Sequence, residues 1–381
     1  MTQENLKTDG LRTWIEIDEQ KVAHNYRAFR SLLSKQTKLM SVVKSNAYGH
    51  DIYQFAKLQE KLGADWLGVD SIVEGEALRE AGIKIPILVL GYTLPEKFAE
   101  AEKYNLSLTI STFENLELLK NFQNLKFHIK IDSGMHRQGF LPKQIEQVLE
   151  ILTANSSSLK ATFEGIYTHF AAAKNPAFPS ETRAQLNLFL EVIKKVADAG
   201  FSPIRHAAAT SGTIVFPEAH LDLVRIGIGA YGLYPSREVQ AGFAEKLNLQ
   251  PALSWKSIVG EVKNIPAGEG IGYDFTEKLA QAGKIAIIPI GYWHGYSRSL
   301  SSIGSVLINQ QKAKVLGRVS MDMLIVDVSN PSADGEKVEV GDTVTLIGEN
   351  GASADDLALL SGTVNYEIVT RLNPLIKRIY N

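Results

Sequence analysis

Apolar and polar positions change rhythm twice along this chain. Residues 12–18 alternate polar and apolar, the period of a half-buried strand, and residues 19–34 then space Val22, Tyr26, Phe29 and Leu33 along one helix face. From Met40 to about Gly232, short apolar runs recur at 41–44, 66–70, 85–91, 107–111, 127–132, 163–169, 204–210 and 223–232. Amphipathic stretches separate them at 72–81, 95–104, 112–122, 142–152 and 181–199, the last with Ser180 as its expected N-cap. Strands alternating with helices predict a parallel sheet, and eight of them over this length predict a closed (β/α)8 TIM barrel. An open doubly wound sheet is the competitor, but the G-x-G-x-x-G turn that would favour it does not follow the first strand.

Beyond about Tyr234 the runs shorten and alternate (253–262, 284–290, 305–308, 314–319, 324–328 and 343–347), with Gly, Pro and Asn between them. Only 353–360 has helical spacing, with Ser353 near its start. A mostly antiparallel β domain is predicted. The division expected is 11–18 as a strand joining the β domain, 19–240 as the barrel and 241–381 as the β domain. No internal repeat or low-complexity segment interrupts it.

Composition narrows the function classes. A chain of 381 residues, 45% of them apolar, can bury two cores, and a net charge of −2 offers no electrostatic footprint for nucleic acid or an anionic membrane. Without cysteine there are no disulfides and no thiolate metal sites. No run approaches the length of a membrane span, and residues 1–10 are polar with no apolar signal core, so a cytoplasmic protein with a small-molecule substrate is the expectation.

In a barrel the reactive groups gather at the C-terminal strand ends. Those ends carry Lys44, Asp132 with Arg137 beyond it, His169, His206 with Thr210 and Ser211, and Arg225. Lys44 closes the run Met40-Ser41-Val42-Val43; burial lowers a lysine pKa, and a neutral amine attacks aldehydes. A lysine that only snorkels to solvent is the alternative. Thr210, Ser211 and the amides around Gly227 suit a phosphate between the last strands. An amine facing a phosphate site asks for an aldehyde cofactor bearing a phosphate, which pyridoxal 5'-phosphate satisfies. Singly, His169 reads first as a hydrogen-bonded core histidine and Arg225 as an ordinary ion-pair partner of Asp222 or of a loop carboxylate; what favours the site is that all lie at strand ends of one predicted barrel.

The segment Val42-Val43-Lys44-Ser45-Asn46-Ala47-Tyr48-Gly49-His50 resembles the cofactor-lysine segment of the alanine racemases. So do His128–Arg137, Gly165-Ile166-Tyr167-Thr168-His169-Phe170-Ala171, Val224–Ile228 with Tyr231-Gly232, Gly317-Arg318-Val319-Ser320-Met321-Asp322, and Gly362–Glu367, in order from Trp14 to the C-terminus. The resemblance implies an isomerase interconverting L- and D-alanine, supplying D-alanine for peptidoglycan, as a head-to-tail homodimer with shared active sites. It implies that Lys44 holds the cofactor as an internal aldimine and that Tyr273, reaching the barrel of the other subunit, is the second acid/base. It places Arg225 at the pyridine nitrogen with His206 orienting it. Tyr48, Thr210, Gly227 and Ile228 would take the phosphate, and His169 would sit near the tyrosine base. Arg137 and Met321 are implied at the substrate carboxylate, with Asp322 among the supporting residues and Lys130 as a lysine carbamylated in many members.

Ala209, Asp274, Trp293-His294, Pro374 and Ser320 depart from the family pattern and bear on substrate preference and cofactor affinity. Three other readings accompany the alanine racemase: a racemase of serine or broader range, a decarboxylase of the same fold, and a non-catalytic cofactor-binding protein. Arg225 opposes the decarboxylase, because that chemistry wants a carboxylate at the ring nitrogen. The β domain opposes the non-catalytic protein.

Overall fold

A computed structural model describes residues 8–155, 159–160, 162–330 and 337–381. Residues 1–7, part of the polar stretch read for a signal core, lie outside the described residues. The described residues form two compact units, one within 20–47 and 52–251, the other within 8–19, 48–51 and 252–381.

The first unit is the barrel. Its strands are β2 (Lys38–Val42), β3 (Trp66–Val69), β4 (Ile87–Val89), β5 (Ser107–Ile110), β6 (Phe127–Lys130), β7 (Phe163–Tyr167), β8 (Ile204–His206) and β9 (Leu223–Ile226). Each pairs in parallel with its sequence neighbour, and β9 returns to β2 in register Met40 to Arg225. The ring closes between β8 and β9 through a parallel bridge of Ala209 with Arg225, where Arg225 N donates to Ala208 O at 2.9 Å. The strands are short and mostly buried on both faces, hence their mainly apolar composition, which polar residues interrupt on β6 to β9. Met40, Trp66, Leu88 and Leu223 fill one cluster of the interior. The helix Pro179–Asp198 begins one residue before the expected Ser180 cap, because Pro179 takes the first helical position, where its missing N–H costs nothing.

The second unit is a nine-stranded sheet, mostly antiparallel, of β1 (Thr13–Ile17), β10 (Leu253–Ile258), β11 (Glu261–Ile265), β14 (Gly283–Ile288), β15 (Ser305–Ile308), β16 (Gln311–Leu316), β17 (Leu324–Asp327), β18 (Thr343–Ile347) and β19 (Lys377–Tyr380). A hairpin of β12 (Gly270–Ile271) and β13 (Glu277–Lys278) stands apart. β1 lies between β10, antiparallel, and β19, parallel. Ile271, Leu279, Ile285 and Leu316 make a core cluster. Ser353 caps the helix Ala354–Ser361, its hydroxyl accepting from Asp356 N. A second helix, Asn365–Thr370, was not legible as one: at six residues it is too short to display a periodic face.

Candidate active site

Polar side chains gather on four consecutive strands: His128 and Lys130 on β6, Tyr167 on β7, His206 on β8 and Arg225 on β9. Residues two apart on a strand share a face, which turns His128 and Lys130 inward together on β6. Arg225 on β9 is the hub. Its Nη1 faces His206 Nδ1 at 2.9 Å, and its Nη2 reaches Thr168 O and Ala207 O at 2.9 Å and His169 Nδ1 at 3.2 Å. All four acceptors are neutral. Asp222 pairs instead with Arg205, at 2.7 Å, which removes the ordinary ion-pair reading of Arg225. Burial lowers the Arg225 pKa only to about 10, so the guanidinium stays charged at neutral pH.

The histidines are set by that cation. Because Arg225 donates to His206 Nδ1, the proton of His206 sits on Nε2, 2.8 Å from His128 Nδ1. His128 therefore carries its proton on Nε2, which has no partner within the described residues. Burial, then the Arg225 charge, holds His128 down to about 3 and pushes His206 and His169 well below the ordinary histidine value. All three are neutral. The Tyr167 ring stacks on His206 at a centroid distance of 4.6 Å, with Lys130 Nζ over it at 4.4 Å. Thr109 Oγ1 donates to Val89 O at 2.7 Å, so the 2.9 Å contact between the two hydroxyls is a donation from Tyr167 to Thr109.

Lys130 is 5% exposed. Burial, Arg225 and Arg137 together drive its pKa well below the lysine range, against the pull of Asp132. Asp132 organises the loop after β6: its Oδ1 accepts from the amides of Gly134, Met135 and His136 at 2.9–3.0 Å. Burial raises its pKa, but those amides lower it further, for a net depression. Arg137 on the same loop is exposed.

Past β9, the amides of Gly227 and Gly229 both donate to Thr210 Oγ1, at 3.1 and 3.4 Å. Two N–H groups occupy the lone pairs of that hydroxyl, leaving its own proton for an outside acceptor. A side chain on Gly229 would collide with Phe29 and with the Thr210 methyl, so the backbone approach requires glycine there. Ser211 follows at the start of the helix Thr210–Val215, and Ile228 is buried beside the glycines.

Lys44, at the mouth of β2, meets Asp70 Oδ1 with its Nζ at 2.9 Å. Neither Asp70 nor its neighbour Glu74, which binds the amides of Ser45 and Asp70, was legible from sequence. His128 and Tyr167 were likewise not legible, although they lie within 128–137 and 165–171; inward alternation from Lys130 and His169 was the signal that could have found them.

In the second unit Tyr48 packs against Tyr366, ring centroids 6.1 Å apart. Tyr273 is 67% exposed and Met321 54% exposed. Met321, with Asp322 next to it, lies in the loop between β16 and β17, and its carbonyl accepts from Trp293 N at 3.0 Å. Among the departures, Asp274 pairs with Arg318 at 3.2 Å, and buried His294 accepts from Gly291 N at 3.2 Å in its own turn. Ala209 starts the Thr210–Val215 helix without a side-chain cap, and Pro374 sits in the turn before β19.

Reactive groups at the C-terminal strand ends of a barrel, with a β domain following, define an enzyme of the barrel-plus-β-domain class. The chain belongs to the alanine racemase family: the family models described as alanine racemase, N-terminal domain and C-terminal domain match residues 17–235 and 252–380. Alanine racemase of Desulforamulus reducens is 38% identical over 96% of this chain and 98% of its own, and that of Carboxydothermus hydrogenoformans 40% over 96% and 99%. Alanine racemase of Clostridium difficile 630 superposes with a TM-score of 0.91 at 33% identity over 97% of this chain and 96% of its own. The Bacillus anthracis enzyme, solved with bound L-Ala-P, gives 0.88 at 34% over 97% and 95%.

Proposed function

We propose that this protein interconverts L- and D-alanine with pyridoxal 5'-phosphate, supplying D-alanine for peptidoglycan, and that Lys44 and Tyr273 are its two proton-carrying groups. One observation carries the reading beyond family membership: a permanently charged Arg225 whose hydrogen-bond acceptors are all neutral, at the end of a strand paired with the strand of Lys44. Such a cation suppresses protonation of a pyridine nitrogen beside it. A decarboxylase would need the opposite sign of charge at that place.

The residues fit the cofactor. Lys44 supplies the amine, and the hydroxyl proton of Thr210 supplies an anion donor, its oxygen held by the Gly227 and Gly229 amides, with the Ile228 amide as a second donor beside it. Ser211 and Tyr48 complete the phosphate set. When bound, pyridoxal phosphate supplies the conjugated ring that makes an amino acid Cα proton acidic. The chain does the rest. Arg225, oriented by His206, limits how much negative charge a ring accepts, which favours returning the proton to Cα. Arg137 and the Met321 amide hold the substrate carboxylate, with Asp322 supporting. Inverting a carbon centre needs a base on one face and an acid on the other, and Lys44 and Tyr273 take these places, the tyrosine coming from a second copy in a head-to-tail homodimer. His169, neutral and bonded to Arg225, belongs to the surroundings that ease the tyrosine proton off. Burial and the nearby guanidinium groups make Lys130 give up its proton more easily than an ordinary lysine, as carbamylation requires, and that modification would place an anion near Arg137.

The test is incubation of pure protein and pyridoxal phosphate with L-alanine, read by chiral chromatography, followed by borohydride reduction and peptide mapping. Equal amounts of both enantiomers and a modification on Lys44 are expected. Enantiomers left unmixed, or label on another lysine, would overturn the reading.

A further inference from the structure

The backbone directly after Lys44 is strained. Ser45, Asn46 and Ala47 have φ of 56°, 55° and 49°, and Tyr48 follows at 51°. A left-handed turn is unfavourable for residues other than glycine, and such strain persists only where neighbours over-determine it. Ala47 N donates to Val43 O at 2.8 Å, and Ile52 N to Asn46 Oδ1 at 3.0 Å, closing the turn on its own segment. A further anchor comes from the neighbouring strand's loop. Glu74, in the first turn of the helix Ile72–Glu80, accepts from Ser45 N with Oε1 and from Asp70 N with Oε2, both at 2.7 Å.

Helix capping does not explain this arrangement. In a capping box the third-position carboxylate bonds the N–H of the cap residue itself. Here the cap is Ser71, whose hydroxyl accepts from Glu74 N at 3.4 Å, while the Glu74 carboxylate passes over Ser71 to the preceding amide and to the neighbouring strand's loop. The two amides it joins belong to the residue after Lys44 and to Asp70, whose own carboxylate holds Lys44 Nζ at 2.9 Å. One carboxylate thus fixes the turn from which Lys44 springs and the residue that aims its amine.

We propose that Glu74 is a positioning residue for Lys44, acting through Ser45 and Asp70, and that Asp70 holds the amine whenever it is not bonded to the cofactor. The inference rests on the reading of Lys44 as the cofactor lysine. It assigns Glu74 no contact with substrate.

The experiment uses full-length apo-protein, wild type and the variants Glu74→Ala, Glu74→Gln and Asp70→Asn. Covalent capture of pyridoxal phosphate is followed by visible absorbance and trapped with borohydride, alongside thermal melts and kcat and KM. Glu74→Ala removes both charge-assisted bonds to the backbone amides, so it should slow capture about tenfold or more at a temperature well below its melting transition. Glu74→Gln keeps one acceptor oxygen and should recover part of the rate. Asp70→Asn should slow capture and lower kcat with KM unchanged. Wild-type rates of capture in Glu74→Ala and Asp70→Asn would overturn the proposal. If Glu74→Ala fails to fold, Glu74→Gln and Asp70→Asn decide it alone. Failure of the wild type itself to capture at Lys44 would instead sink the assignment of Lys44.

Discussion

At the scale of single residues, three neutral histidines and one cation set the pH response. His128 has its pKa at about 3 in the fold, against about 6.5 in an unfolded chain. Between those values the unfolded state binds the extra proton, so stability rises with pH across that window, is complete above it and is lost as pH falls toward 3. For His128 alone the linkage amounts to about 4–5 kcal/mol, and His206 and His169 shift in the same direction. Denaturant melts at pH 7 and pH 4.5 should therefore differ steeply. The variant His128→Gln still offers an acceptor oxygen to His206 Nε2 and cannot titrate, so its melts should show a shallower pH slope. An unchanged slope would mean that His128 takes up its proton in the folded state at no cost.

Elements carry the same chemistry because the strands bring it inward in register. Gly165 on β7 stands opposite His128 on β6, and a side chain there would occupy the space of the His128 ring. Gly165→Ala should displace that ring and break the contact to His206. The expected destabilisation is about 1–3 kcal/mol, as for overpacking in a filled core, read as a fall in the denaturation midpoint at constant slope. The strands themselves were plain in the sequence, since most of these buried parallel strands are apolar runs and amphipathic stretches stand between most of them. Lys44 and Thr210 were legible because they end such runs, and Arg225 because a cation interrupts one. Asp70 and Glu74 were not: an acidic pair at the start of a helix reads as ordinary capping, and only the crossing of the Glu74 carboxylate to Ser45 separates the two. His128 was hidden for another reason. A histidine within an apolar strand looks like core, and its link to Arg225 runs through His206, seventy-eight residues away.

On the scale of the whole molecule, the two proposed acid/base groups belong to different units: Lys44 to the barrel, and Tyr273, exposed, to the β unit. If Tyr273 serves the barrel of a second copy, each site of a dimer takes one lysine and one tyrosine from different chains. Lys44→Ala and Tyr273→Phe homodimers would then both be inactive in the direction each base serves, with Tyr273→Phe losing mainly L-to-D turnover while keeping its cofactor. Mixed dimers behave differently. A Lys44→Ala chain paired with a Tyr273→Phe chain has both lesions in one site and none in the other. Random exchange makes about half the dimers mixed, each with one intact site of two, so about a quarter of wild-type activity should return. The measurement is L-to-D turnover after unfolding and refolding the variants together, against each refolded alone. Recovery near that fraction requires sharing between copies. No recovery, with mixed dimers demonstrated by mass, would mean that each site is built from one chain.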